Sequence, residues 1–382
     1  MSVTTPAVRT RASESGTWLH SRNWDLTFIT LSVVLVAVPY LAYLGLLALQ
    51  PAMAPMADWF GTTPADLSRN IVNATVALLV GGPHMYATFT RTAFDADYRK
   101  KRPRMIWTSL AIPVVVFALA IANLQLLLTI FFFWASFHVL HQSVFITEMY
   151  NHRAQNPISA FSRASDYAVI LTSLYPLAAY KMWQGNFAIG LNDVGATVGQ
   201  VLGIFGLSLG PWMGWLTGGV FGIALVVWLG KTIWEWQKGV LHAPKALFIF
   251  LKVTASFFVP ALGNLDTAFQ GMNFWHSLQY LALTWMLNNI RLQRGDMERK
   301  PWLQRMSEDG SARRYYLFNM GLTLADIGLA VVLFLVMVNV FGKSFDYAFD
   351  RAYYMAVLSF LWIHYYHDHH LFTEPEVIDY EA

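Results

Sequence analysis

The sequence predicts an all-α fold, a polytopic transmembrane helical bundle, on three observations. Of 382 residues, 56% are hydrophobic and only 13% charged, against about 25% charged in soluble domains. Apolar runs long enough to cross a bilayer recur along the whole chain. Lysine and arginine collect in alternate loops, the pattern that sets membrane topology. The net charge of +3 is small, so the basic loops point to topology and not to nucleic acid. With no cysteine in the chain, disulfides, iron–sulfur clusters, thiolate haem and c-type haem attachment are excluded.

Residues 1–23 are polar and lack a short apolar core before a small-residue cleavage site. They read as a cytoplasmic tail, with the first span as an uncleaved anchor. About ten spans follow within one domain, 24–372. They lie near 26–49, 71–92, 106–122, 126–150, 164–183, 212–231, 245–262, 271–290, 317–341 and 350–371. The third and fourth are divided by a turn near Asn123–Gln125. Residues 196–210, Gly-rich and moderately apolar, read as an interfacial or re-entrant piece. A short tail, 373–382, closes the chain.

Charge orients these spans. Arg9, Arg11 and Arg22 precede the first; Arg91, Arg99, Lys100, Lys101, Arg102 and Arg104 follow the second. Arg153 and Arg163 follow the fourth, and Lys231, Lys238 and Lys245 the sixth. After the eighth come Arg291, Arg294, Arg299, Lys300, Arg305, Arg313 and Arg314. Ten spans place all of these on one side, leaving Arg69, Lys343 and Arg351 as the main exceptions. Both termini are then cytoplasmic, and a bacterial inner membrane is the expected location.

Eleven histidines are not many for this length, but their placement is informative. His20 and His242 fall in the tail and a loop. The other nine fall in spans or at their cytoplasmic ends. Span four carries FHVLHQSVFITEMYNHR, in which His138, His141, Glu148 and His152 share an arc of about 80° at 100° per residue. Span ten ends HYYHDHH, with His364, His367 and His370 in a row and Asp368 and His369 turned elsewhere. Span eight, GMNFWHSLQYLALTW, aligns Asn273, His276 and Tyr280; span two, GGPHMYATFTRT, sets His84 after two glycines and a proline. Counted back from the first cytoplasmic charge, His138 and His276 lie about 22 Å deep, His141 about 18 Å and His84 about 10 Å, at about 1.5 Å per residue. Span-ten histidines lie within about 15 Å of Glu374 on the same scale.

Four spans thus bring imidazoles to one half of a bundle, which is how bundles assemble metal sites. The bland alternatives are a polar seam between helices and, for span ten, histidines favoured by a helix C-terminus. His84 or His276 alone would more often be a satisfied core histidine than a ligand. Candidate ligands are His138, His141, His276, His364, His367 and His370, then His84, Glu148 and His152. Asn273, Asp326, Tyr280, Asp368 and His369 are candidates to support them. Many nitrogens without thiolates favour redox iron, with copper next, and the number of ligands favours two ions. Trp134, Phe137, Phe274, Trp275, Trp362 and Tyr366 flank the histidines and could wall an apolar substrate. Dioxygen, a lipid-soluble substrate and an electron-donor protein docked on the basic loops are the expected partners.

The clusters HVLH and HYYHDHH at cytoplasmic span ends, with a histidine between them in sequence, resemble the integral-membrane fatty-acid desaturase and hydroxylase superfamily. The resemblance implies two irons held by histidine boxes and oxidation of a lipid by dioxygen. It makes His138 and His141 a first box, His364, His367, His369 and His370 a final box, and His276 the isolated ligand. The span count exceeds that family's, and no middle HxxHH box is present. A looser similarity is to multi-span bacterial carotene-cleaving oxygenases, whose histidines are spread over many spans.

Two other classes compete. A haem could lie between facing imidazoles such as His138 and His276. A proton-coupled transporter could use Asp326, mid-span in TLADIGLAV, with the histidines as a relay. The absence of paired halves in the sequence counts against transport.

Overall fold

A bilayer leaves backbone polar groups no partner but the chain itself, so apolar spans fold as helices. The computed structural model describes residues 17–373 except 155, 190, 191, 264, 296, 298 and 299. The tail charges Arg9 and Arg11, the loop residue Arg299 and the tail 374–382 lie outside the described residues. The fold is all-α. Its helices are α1 (Arg22–Ala48), α2 (Gln50–Trp59), α3 (64–91), α4 (Ala96–Lys101), α5 (Pro103–Ala122) and α6 (Leu124–His152). Then come α7 (160–183), α8 (Val194–Ile204), α9 (Pro211–Gln237) and α10 (Ala243–Ala261). The last four are α11 (Leu265–Gln293), α12 (Pro301–Ser307), α13 (Ala312–Asn339) and α14 (Phe345–Leu371). Six of these, α1, α5, α6, α9, α10 and α13, are long and apolar enough to cross a membrane. The other four predicted spans are helical too, as α3, α7, α11 and α14.

The turn expected near Asn123 is present. Its backbone leaves the helical region (φ −157°, ψ 83°), and its side chain accepts from the Leu126 amide to start α6. The glycine-rich stretch begins as α8, whose first turn Asp193 caps through the Ala196 amide at 3.0 Å. Before it, Ala188–Ile189 and Asn192–Asp193 pair as short antiparallel strands.

Breaks in two helices shape the bundle's centre. In α3 a π-type turn spans Ala77–Gly81 just before Pro83. Pro83 has no N–H to return to Leu79; the Tyr316 hydroxyl of α13 donates to that carbonyl instead, at 2.8 Å. Gly82 is needed there because a Cβ would stand 2.2 Å from Thr323 Cγ2. In α1, π-type (Asp25–Thr30) and 3-10 (Leu31–Val36) stretches follow one another. Gln279 of α11 donates to the Ile29 carbonyl there (2.6 Å), and Trp275 donates its indole N–H to Ser32 (2.9 Å). Gly271 lets α11 approach α1: a Cβ on it would lie 2.0 Å from the Val36 carbonyl oxygen. Gly271→Ala is therefore expected to cost about 1–3 kcal/mol by overpacking, read as a lowered unfolding midpoint in detergent. Gly45→Ala, with nothing within 4 Å of the added carbon, is the silent control.

Separately, α6, α7, α9 and α10 share a buried charge cluster. Asp166 accepts from Lys231 (2.6 Å), Lys245 (2.8 Å) and the Trp228 indole (3.0 Å). Lys245 also reaches Asn151 at 2.8 Å. Two of the lysines expected to mark a cytoplasmic loop are thus buried and paired.

Candidate metal centre

Four helices supply one histidine each to a single point. His84 (α3), His138 (α6), His276 (α11) and His364 (α14) offer ring nitrogens that all lie within 4.8 Å of one another. Their rings meet edge to face in a closed circuit: 84 to 276 at 5.1 Å, 276 to 138 at 5.0 Å, 138 to 364 at 4.7 Å and 364 to 84 at 4.8 Å between centroids. None is more than 3% exposed.

Local structure explains each position. The turn before Pro83 leaves the Gly81 carbonyl beside His84 Nδ1 at 2.5 Å. A carbonyl only accepts, so Nδ1 carries the ring proton and Nε2 keeps its lone pair. Ser277 Oγ lies 3.0 Å from the same Nδ1 and donates to Asn273 Oδ1 at 3.1 Å. On α14, His364 Nδ1 lies 2.5 Å from Thr88 Oγ1, and Thr88 donates to Asp368 Oδ1 at 2.9 Å. With the threonine proton on Asp368, the His364 Nδ1–H donates to Thr88 and Nε2 is again free. Tyr280 donates to Asp368 Oδ1 at 2.6 Å. Gln142 of α6 donates to the His276 carbonyl at 3.2 Å, fixing α6 against α11.

Five other ring nitrogens of the group have no partners. Nε2 of His84, His138 and His364 and both ring nitrogens of His276 are buried without a hydrogen bond. Buried polar groups are nearly always bonded, and each unmet one costs about 1–3 kcal/mol. Four imidazoles grouped with unbonded nitrogens, and with orienting bonds on the far nitrogens of two of them, could hold a metal ion. Metal–imidazole bonds run to about 2.1 Å, so the four rings would hold one ion by closing slightly from their present spacing of up to 4.8 Å.

The other candidates lie elsewhere. His141 stacks beside His369 at 5.2 Å, and His369 is exposed. His367 Nδ1 bonds the Tyr98 hydroxyl at 3.0 Å. His370 is half-buried and His152 exposed. Glu148 accepts from Asn151 (2.7 Å) and Tyr167 and pairs with Arg163 at 3.4 Å. Asp326 interacts with Tyr86 and keeps one oxygen unbonded. Of the expected supporting residues, Tyr280 packs against the His84 and His364 rings, Asp368 lies near His138 and His364, and Asn273 reaches His84 through Ser277. Thr88, Ser277 and Gln142 were missed by sequence reasoning; Thr88 and Ser277 carry a signal, at i+4 from His84 and i+1 from His276. Tyr365 lies against His138 at 4.3 Å and Phe372 stacks on it at 5.8 Å, and neither was among the expected aromatics. Trp134 and Trp362, which were, pack on one another at 5.2 Å.

No protein-family model, curated protein or solved structure matches this chain.

Proposed function

We propose that this chain is a membrane-embedded oxidoreductase that uses dioxygen to oxidise a lipid-soluble substrate at one metal ion held by His84, His138, His276 and His364. The carrying observation is the four buried imidazoles with unpartnered nitrogens within 4.8 Å. Four neutral nitrogens without sulfur suit iron, with copper as the alternative. Such an ion supplies a place to bind and activate dioxygen. The protein's part is to hold the four rings together, to fix the protonated nitrogen of His84 and His364, and to keep water out with Tyr365 and Phe372 beside His138. Apolar substrates reach a buried site of this kind from the bilayer. The ten-span topology, with cytoplasmic termini and basic loops facing an electron-donor protein, belongs to the same proposal, as does an inner-membrane location.

A second iron, as in the histidine-box enzymes, would need His141, His367 and His370, which are spread over Tyr98, His369 and the helix end. Haem suits the geometry poorly, because a porphyrin needs a flat slot and each ring here has two imidazole neighbours within 5.1 Å. Asp326, the mark of a proton-coupled transporter, is not among the grouped residues. Elemental analysis of the purified chain tests the proposal. About one redox metal per chain is expected, lost in His138→Ala and kept in His367→Ala. Equal metal in both variants, or none in the parent, would refute it.

A further inference from the structure

We propose that Asp368 is itself a fifth donor, so that the centre is a four-histidine, one-carboxylate site; this rests on the metal-centre proposal above. Asp368 follows His364 by one helical turn on α14 and is fully buried. Its two oxygens differ sharply. Oδ1 takes both hydroxyls, Tyr280 at 2.6 Å and Thr88 at 2.9 Å. Oδ2 has no hydrogen bond at all. It stands 3.9 Å from His138 Nε2, the nitrogen that is likewise unbonded, and 3.4 Å from His364 Nδ1. Asp368 stands outside the group of four whose nitrogens lie within 4.8 Å of one another, so Oδ2 joins the shell by moving toward His138.

Charge points the same way. Among the described residues, no lysine or arginine stands within ion-pair distance of Asp368, and the buried Arg91 guanidinium acts on it from farther off; a buried carboxylate without a directly paired cation is unfavourable. A divalent ion among four neutral imidazoles has the opposite deficit, because nothing in that shell offsets its charge. One anion beside one cation settles both. The two hydroxyls tie down Oδ1 and leave Oδ2 as the oxygen free to meet a cation. Five donors exceed the four that zinc takes in its structural sites. They leave one position open on a six-coordinate ion, where an exogenous ligand such as dioxygen could bind.

The test uses the full chain purified in detergent, stripped of metal and titrated with Co(II), whose visible bands are weak in five- or six-coordinate sites and intense in tetrahedral ones. Weak bands are expected for the parent protein. Asp368→Asn keeps an oxygen for Tyr280 and Thr88 but loses the anion; it should bind cobalt at least about tenfold more weakly and turn to intense, four-coordinate bands. Intense bands in the parent, or an Asp368→Asn protein with unchanged affinity and spectrum, would overturn the assignment. The parent spectrum decides even if the variant fails to fold. His84→Ala separates this from the wider proposal: if it keeps cobalt, the centre itself is wrong, whereas loss there with no change in Asp368→Asn removes only the fifth donor.

Discussion

His276→Ala is expected to abolish metal-dependent activity and most metal binding while leaving the metal-free protein nearly as stable as before. Both ring nitrogens of His276 lack partners, so the ring contributes no hydrogen bond to the fold. Removing it relieves unmet polar groups worth about 1–3 kcal/mol each. It also leaves a cavity, which costs about 2–5 kcal/mol for side chains of similar size. The two effects largely offset. In the parent, saturating metal at a thousand times its dissociation constant should add about 4 kcal/mol of stability, and in the variant almost none. Thermal unfolding with and without metal reads this directly. A variant still stabilised by metal as much as the parent would mean that His276 is a core histidine and no ligand.

Asp166→Ala should give the largest loss of stability, about 3–5 kcal/mol, because it leaves buried Lys245 without a carboxylate and Lys231 with Glu235 alone, at 3.5 Å. Lys231 and Lys245 both end on this carboxylate, and the aspartate itself is fully buried. Asp166→Asn should cost nearly as much, since charge and not shape is what the lysines lack. Metal content per folded molecule should stay unchanged, as none of these residues belongs to the histidine group. Denaturation of the solubilised variants decides it; a loss under about 1 kcal/mol would show that the cluster is wetter than its burial implies.

The helices were legible because hydrocarbon leaves an apolar chain no alternative to helix, and even the break at Asn123 showed in the sequence. The irregular turns in α1 and α3 were less so. Pro83 and its glycines announced a kink, but nothing local in residues 25–36 announces a π-type stretch that α11 stabilises through Gln279. The convergence of four spans was legible from histidine depth; its membership was not. His84 was placed about 10 Å deep by counting from Arg91, yet Arg91 is itself buried, so the count began inside the protein. The HxxH and HYYHDHH clusters suggested paired ligands. Only the first histidine of each joins the group; His141 turns to His369 and His367 to Tyr98. Asp368 was read as facing elsewhere, but i+4 from His364 returns it to the same face.

The closed circuit of rings also bears on how the centre is filled and emptied. No ring is more than 3% exposed, and each belongs to a different helix, so an ion can pass only when neighbouring helices part. Exchange should therefore run at the pace of local opening in the bundle, on a scale unrelated to affinity. Chelators would strip the native protein slowly and the loosened protein at once, and loading is best matched to the moment when the newly inserted helices have met but not yet closed.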